Sequence, residues 1–304
     1  MITRATRILF LIFTVLAIFT ASRAIIRALP GDPVETLMAE SGTAIPVEAI
    51  RRDLGLDRPF LPALASDLNS ALHGNWGISL LSRQPIGPLL KARFAKTLVL
   101  VFVSLVLGIA LSLLIGLCAA ASPGSFIDRF CSVYGAVTAA LPAPWIGPTL
   151  LIVFAVWIPL FPVDRSVILP AITLSIPFSG LWSRLIRERV GETLRSGAAP
   201  GARARGIAEW KVVLKYGLAP CAGALSAYLG TQIGGLLAGT FVVEVIFSWK
   251  GMGSLLIEGI LSRDYPVVEA ATFVAATCCL LGTWLGDVVQ AILDPRIART
   301  GGSG

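Results

Sequence analysis

Long apolar runs separated by polar stretches dominate the chain. A helix needs about twenty apolar residues to cross a bilayer. Runs of that size cover about Ile8–Leu29, Phe94–Ala119, Phe130–Trp157, Val167–Ile186, Leu218–Phe247 and Val267–Leu293. The pattern predicts an all-α polytopic membrane protein with six transmembrane helices, forming one transmembrane domain over residues 1–304.

The polar stretches between the runs orient the chain. Residues 30–93 hold seven acidic and six basic residues. Arg184–Pro220 is different: Arg184, Arg187, Arg189, Arg195, Arg203, Arg205, Lys211 and Lys215 oppose only Glu188, Glu192 and Glu209. Basic loops beside membrane spans stay in the cytoplasm. The reading therefore places residues 30–93 outside and residues 187–217 inside. Arg4 and Arg7 precede the first run, as in a secretory signal peptide. That run continues almost to Leu29 and more runs follow, so a retained first helix is expected, with both termini cytoplasmic. Arg23 and Arg27 share a helical face in its outer half, either reaching the interface or pointing into the bundle.

Turn chemistry fills in the rest. Leu29-Pro30-Gly31-Asp32-Pro33 reads as a turn and Pro46–Leu54 as a short helix closed by Gly55. Leu61, Leu64, Leu68 and Leu72 follow at helical spacing and are expected to face the protein's own spans, until Gly74-Asn75-Trp76-Gly77 breaks the helix. Asp128-Arg129 forms an inside loop; Pro159–Arg165 and Ser248–Pro266 lie outside. Pro142, Pro144 and Pro148 interrupt the third span, and Pro170 and Pro177 lie in the fourth. Prolines within spans free backbone carbonyls that neighbours or a wet cavity must satisfy, which favours a pathway over simple anchorage. The fifth span carries Gly230/Gly234 and Gly235/Gly239, spacings that suit tight helix packing or a small-residue pore lining. Asp294-Pro295-Arg296 ends the last span and Gly301–Gly304 forms a tail.

Composition narrows the function. The 304 residues are 55% hydrophobic and 14% charged, against about 25% charged in a soluble domain. The net charge of +7 clusters beside the spans, so orientation explains it better than nucleic acid. Five cysteines without a C-x-x-C and a single histidine, His73, supply neither a disulfide framework nor a metal site. Glu244, Glu269 and Asp287 lie within or near spans, which raises an ion-coupled secondary transporter as a rival. Trp157, Trp249 and Trp284 fall near span ends, as interface anchors do.

The inside loop carries the most specific local signal. In Ala199-Pro200-Gly201-Ala202-Arg203-Ala204-Arg205-Gly206, proline suits a first helical turn and glycine the position just past a helix end. A helix over Pro200–Arg205 is predicted, followed by a helical stretch over Ala208–Tyr216. A six-residue helix is marginal alone and needs a docking surface. Either a cytoplasmic partner protein supplies it, or the stretch is a basic loop that only sets topology.

Several short motifs, in order, resemble one family. Pro30-Gly31-Asp32-Pro33, Leu54-Gly55-Leu56-Asp57-Arg58-Pro59, Gly74-Asn75-Trp76-Gly77-Ile78-Ser79, Ala202-Arg203-Ala204-Arg205-Gly206, Glu244-Val245-Ile246-Phe247-Ser248-Trp249, Arg263-Asp264-Tyr265-Pro266 and Asp294-Pro295-Arg296 resemble those of ABC-importer permeases of the dipeptide/oligopeptide/nickel branch. In three places the chain departs from that pattern. Pro200 and Gly201 stand for the usual Glu-Ala of the ATPase-contacting loop, Asn75 for an aspartate, and Lys250 for a proline.

The resemblance implies an ABC type I importer permease fold in the inner membrane. It implies half of a pathway for di- or oligopeptides, with nickel or a metal chelate as the alternative cargo. A second, usually unlike permease, two ABC ATPases and an extracytoplasmic substrate-binding protein would be the partners. Pro200, Gly201, Ala202, Arg203, Ala204, Arg205 and Gly206 would form the ATPase-coupling loop, with Arg203 and Arg205 reaching partner carboxylates and Ala202 permitting close contact. The sequence has no G-x-x-x-x-G-K-[ST] phosphate loop. ATP and magnesium are therefore expected on the ATPases and no cofactor or catalytic residue on this chain.

Overall fold

The computed structural model describes residues 4–28, 59–158 and 166–293. The Pro30–Pro33 turn, the Pro46–Leu54 helix, the 54–58 part of the next motif, the Pro159–Arg165 turn, Asp294–Arg296 and the 301–304 tail lie outside them. Every described element is helical. In chain order these are α1 (Arg4–Ala28), α2 (Phe60–Leu72), α3 (Ile86–Ala121), α4 (Phe126–Ala140), α5 (Ala143–Leu151, widening to a π-helical stretch Ile152–Trp157), α6 (Ile168–Arg195), α7 (Ala199–Ala204), α8 (Glu209–Lys211, then a π-helical stretch Val212–Leu218), α9 (Ala219–Ile246), α10 (Met252–Leu261) and α11 (Tyr265–Leu293).

A helix, or for the third run the α4–α5 pair, overlaps each apolar run. Ile86–Ala121 and Tyr265–Gly286 are each long and apolar enough to cross a membrane, and the bent pair Phe126–Ala140 and Pro144–Trp157 qualifies together. Helix α6 is mixed. Its apolar part, Ile168–Ser183, rises about 24 Å, short of the roughly 30 Å hydrocarbon core, before the charged Arg184–Arg195 half begins.

The helices form two compact units. The first comprises residues 1–97 and 250–280. Helix α2 ends at Leu72 and Gly74 takes φ +79°. Asn75 accepts a hydrogen bond from the Gly77 amide through its side chain (3.2 Å), so it keeps the turn-forming role that an aspartate would play. A Cβ on Gly87 would lie 2.9 Å from the Gly74 carbonyl, so α3 starts against this turn only because position 87 is glycine. The Arg93 guanidinium pairs with Glu258 (2.7 Å), and Thr97 Oγ1 accepts from the Met252 amide (2.8 Å). Arg23 turns inward, pairing with Asp67 and, at 3.0 Å, with Glu269. The leucine stripe of α2 does not all pack inward. Leu64 and Leu68 are half-buried, whereas Leu61 and Leu72 are exposed, and the buried residue of that helix is Ala63.

The second unit comprises residues 98–249 and 281–304, with α6 at its centre. Leu174, Phe178, Trp182, Ile186, Val190 and Leu194 lie at successive turns of α6 and are all buried in one apolar cluster. Ser125 caps α4, accepting from the Asp128 amide, while Asp128 takes the Gly124 amide and pairs with Arg187 on α6. Leu141 and Pro142 are extended, so α4 stops there and the chain re-enters α5 at 108°, the interruption the prolines predict.

Among the glycines whose surroundings are described, the closest helix approaches are not on α9. Gly235 has open space around it and Gly239 meets only Leu174 at 3.4 Å. A Cβ on Gly116 would lie 2.8 Å from the Ser183 carbonyl, and one on Gly180 would overlap Thr138. Helices α3 and α4 therefore reach α6 through these glycines, as small residues allow. The Tyr134 hydroxyl bonds Ser179 Oγ (2.6 Å) beside the second crossing.

Candidate coupling surface

Helix α7 is six residues long, Ala199–Ala204, with Pro200 in its first turn. That is one residue earlier at each end than Pro200–Arg205. Past it, Gly206 adopts φ +73°, its amide bonding the Arg203 carbonyl (2.9 Å), while the Ile207 amide reaches back to the Ala202 carbonyl (3.2 Å). This is the left-handed closure that glycine permits at a helix end. The next stretch opens as α8 and at once widens into a π-helical segment that ends where α9 begins.

So short a helix holds its place by packing. Ala199 and Ala202 are fully buried, in the cluster that contains Val190 and Leu194 of α6 and Val212 and Val213 after α8. Gly217 lets the π-helical segment close on α6: a Cβ there would stand 3.0 Å from Leu194 and Val190 side-chain carbons. The docking surface for α7 is thus the protein's own α6 and re-entry segment. The small Ala202 side chain serves that internal contact.

Arg203 is engaged within the chain as well. Its guanidinium grips Glu209, Nε to Oε2 at 3.0 Å and Nη2 to Oε1 at 2.6 Å, and its Nη1 donates to the Leu194 carbonyl at 3.1 Å. One side chain therefore joins the end of α6, α7 and the start of α8. The hydrogen bonds from Arg203 hold the Glu209 carboxyl below its usual range, and Glu209 holds the guanidinium charged. Nothing in the sequence flagged Glu209 as its partner, because a separation of six residues is not a helical-face spacing. Pro200, Gly201, Arg203, Ala204, Arg205 and Gly206 are exposed, Arg203 while engaged with Glu209. Arg205 makes no side-chain hydrogen bond or ion pair among the described residues.

Other sequence candidates lie apart from this surface. Glu244 is fully buried at the end of α9, and Glu269 is engaged with Arg23. No group of three or more His, Cys, Asp or Glu residues suited to a metal occurs among the described residues.

Helices as long and apolar as Ile86–Ala121 and Tyr265–Gly286 mark a membrane protein. Residues 108–299 match the family described as binding-protein-dependent transport system inner membrane component. The chain is 31% identical over 296 residues to the glutathione transport system permease protein GsiC of Escherichia coli K12, covering 96% of this chain and 97% of that protein. The same identity and coverage hold for the proteins of that name from Shigella dysenteriae and Salmonella paratyphi A. The chain belongs to the binding-protein-dependent transport inner membrane components, the permease subunits of ABC importers, within their peptide/oligopeptide branch.

Proposed function

We propose that this permease forms half of a translocation pathway for di- or oligopeptides and that α7 receives the stroke of an ABC ATPase. Peptide cargo is favoured because the relatives are named as glutathione permeases and glutathione is peptide-like. In this reading a second permease completes the pathway, a substrate-binding protein delivers cargo from outside, and two ATPases bind ATP-magnesium. Six spans put both termini, and residues 187–217, in the cytoplasm.

The observation that carries the reading is the construction of α7. It shows Pro200, Gly201, Ala204 and Arg205 outward while its buried alanines and Arg203 tie it to α6 and the segment leading into α9. A push on the exposed face is therefore delivered to two membrane helices as one body. Packed interiors transmit such displacement because they are close-packed and poorly compressible. Arg205 supplies the cation for a carboxylate on the ATPase.

A photo-crosslinking residue at position 204 tests the contact in whole cells. The expected product joins this chain to an ATPase subunit, and the yield changes when ATP hydrolysis is blocked. Crosslinking only to lipid or to extracytoplasmic protein would refute the assignment.

A further inference from the structure

The first unit contains a cavity of about 550 Å³ that coupling does not use. Arg23, Asp67, Glu269, Arg83, Trp76 and Phe19 are among the residues lining it. Its size falls within the roughly 300–1,000 Å³ typical of small-molecule sites. Phe273 braces the aromatic wall, its ring centroid 5.1 Å from that of Phe19 and 5.7 Å from that of Trp76.

The charges are distributed unevenly. Arg23 serves both carboxylates, Asp67 and Glu269, and all three side chains are largely withdrawn from solvent, at 17%, 30% and 11% exposure. One guanidinium against two carboxylates leaves an uncompensated negative charge when both are ionised. Arg83 balances that charge in number but not in place: its side chain makes no ion pair or hydrogen bond among the described residues. Its backbone is held at φ +56°, with its amide bonded to the Ser79 carbonyl at 3.0 Å, in a loop that Asp264 clamps through Ser79 Oγ and the Leu80 amide. Backbone strain that persists because the surroundings fix it is a recurrent mark of functional positions.

We infer that this cavity binds a zwitterion, an amino acid or short peptide with free termini, its ammonium against the Asp67–Glu269 pair and its carboxylate against Arg83. Partly withdrawn carboxylates favour a cation that donates hydrogen bonds, and guanidinium is the side chain best matched to a carboxylate. Trp76 and Phe19 offer apolar surface to the side chain between the termini. The inference builds on the peptide reading above but assigns the cargo a place on this chain. That place lies on the outer side in the proposed topology, independent of the ATPase contact.

The test uses the full chain in lipid nanodiscs without a binding protein. Trialanine is titrated against trialanine amide, N-acetyltrialanine and the doubly capped peptide. Trialanine is expected to bind, each single cap to weaken binding about tenfold or more, since a charge-assisted hydrogen bond contributes about 1.5–3 kcal/mol, and the double cap to abolish it. Arg83→Gln, at an exposed position, should erase the preference for a free carboxylate and keep the preference for a free ammonium. Glu269→Gln should do the reverse. Equal binding of free and capped peptides, no saturable trialanine binding, or unchanged discrimination in Arg83→Gln would overturn the site. Peptide uptake by the assembled importer, measured alongside, reports on the transport reading separately.

Discussion

The Ser79 hydroxyl donates a hydrogen bond to the carboxylate of Asp264, 185 positions away in the chain. The same carboxylate accepts from the Leu80 amide at 3.1 Å and the Leu81 amide at 3.4 Å. Two of the motifs that mark the family in sequence, Gly74–Ser79 and Arg263–Pro266, are therefore the two halves of one contact. Asp264 is 4% exposed and Ser79 3%, so their hydrogen bond has little access to water, whereas Leu80 is half-buried and Leu81 exposed.

Removing that acceptor should cost stability before it costs any specific step. Buried donors left without a partner cost about 1–3 kcal/mol each set free. Asp264→Ala is expected to lower the apparent melting temperature of the detergent-solubilised protein by several degrees. Ser79→Ala should cost less, because Leu80 and Leu81 still bond the carboxylate. Equal melting curves for the Asp264→Ala and unaltered proteins would show that the contact carries no load.

The division between what the sequence revealed and what it concealed follows the range of each interaction. The helices lie where the apolar runs predict. The turn at Gly206, the first turn at Pro200 and the break after Leu141 are also legible, because backbone chemistry within a few residues decides them. The inward face of α7 is not. With six residues and alanines at positions 199, 202 and 204, no hydrophobic stripe marks a side, and only the presence of Val190, Leu194, Val212 and Val213 selects Ala199 and Ala202. The Arg203–Glu209 grip and the Arg23–Glu269 pair were hidden for a related reason. Charges beyond helical spacing meet only through tertiary folding. The close approaches at Gly116 and Gly180 fall at isolated glycines, which have no pattern of their own.

The two arginines of α7 should separate by rescue. Arg203→Glu places like charges at 203 and 209 and frees the Leu194 carbonyl, so uptake should fall severely. The double variant Arg203→Glu with Glu209→Arg should recover part of it, as the ion pair re-forms with the roles reversed. Arg205→Glu should also impair uptake, but no change at Glu209 should restore it. Transport assays on the four variants at matched membrane abundance would decide this. Rescue of Arg205→Glu by Glu209→Arg would mean that both arginines act within the loop.

Acid should loosen the coupling segment through Glu209. Its pKa in the folded chain lies below the ordinary 4.5 because Arg203 hydrogen-bonds the charged form. A group with a depressed folded pKa contributes stability above its unfolded value and loses it as pH falls through the folded one. The pair is solvent-exposed, so the contribution is about 1 kcal/mol at most and is reduced by salt. Trp210 adjoins Glu209 and is exposed, and with seven tryptophans in the chain its emission is read as the difference from a Trp210→Phe control. Its emission is expected to hold steady from neutral pH down to about 4.5 and to shift below that. Glu209→Gln should show the low-pH signal already at neutral pH, and a shift centred well above 4.5 would rule out this carboxyl as its source.

Gly206 offers the cleanest separation of backbone from side-chain effects. A Cβ at this position would find no atom within 4 Å, so substitution causes no collision. Its φ of +73° is the whole obstacle. An L-residue in that conformation costs about 1–2 kcal/mol, and asparagine bears it more easily than alanine does. Gly206→Ala should therefore loosen the α7 closure, seen as faster amide exchange over residues 199–211, with reduced uptake at normal membrane abundance. Gly206→Asn should exchange more slowly and transport better than Gly206→Ala, although it is the larger side chain. The opposite ranking would mean that bulk against a partner, not the left-handed turn, limits this position. Gly206→Glu adds to the strain a negative charge beside Arg205, and should be the most damaging of the three.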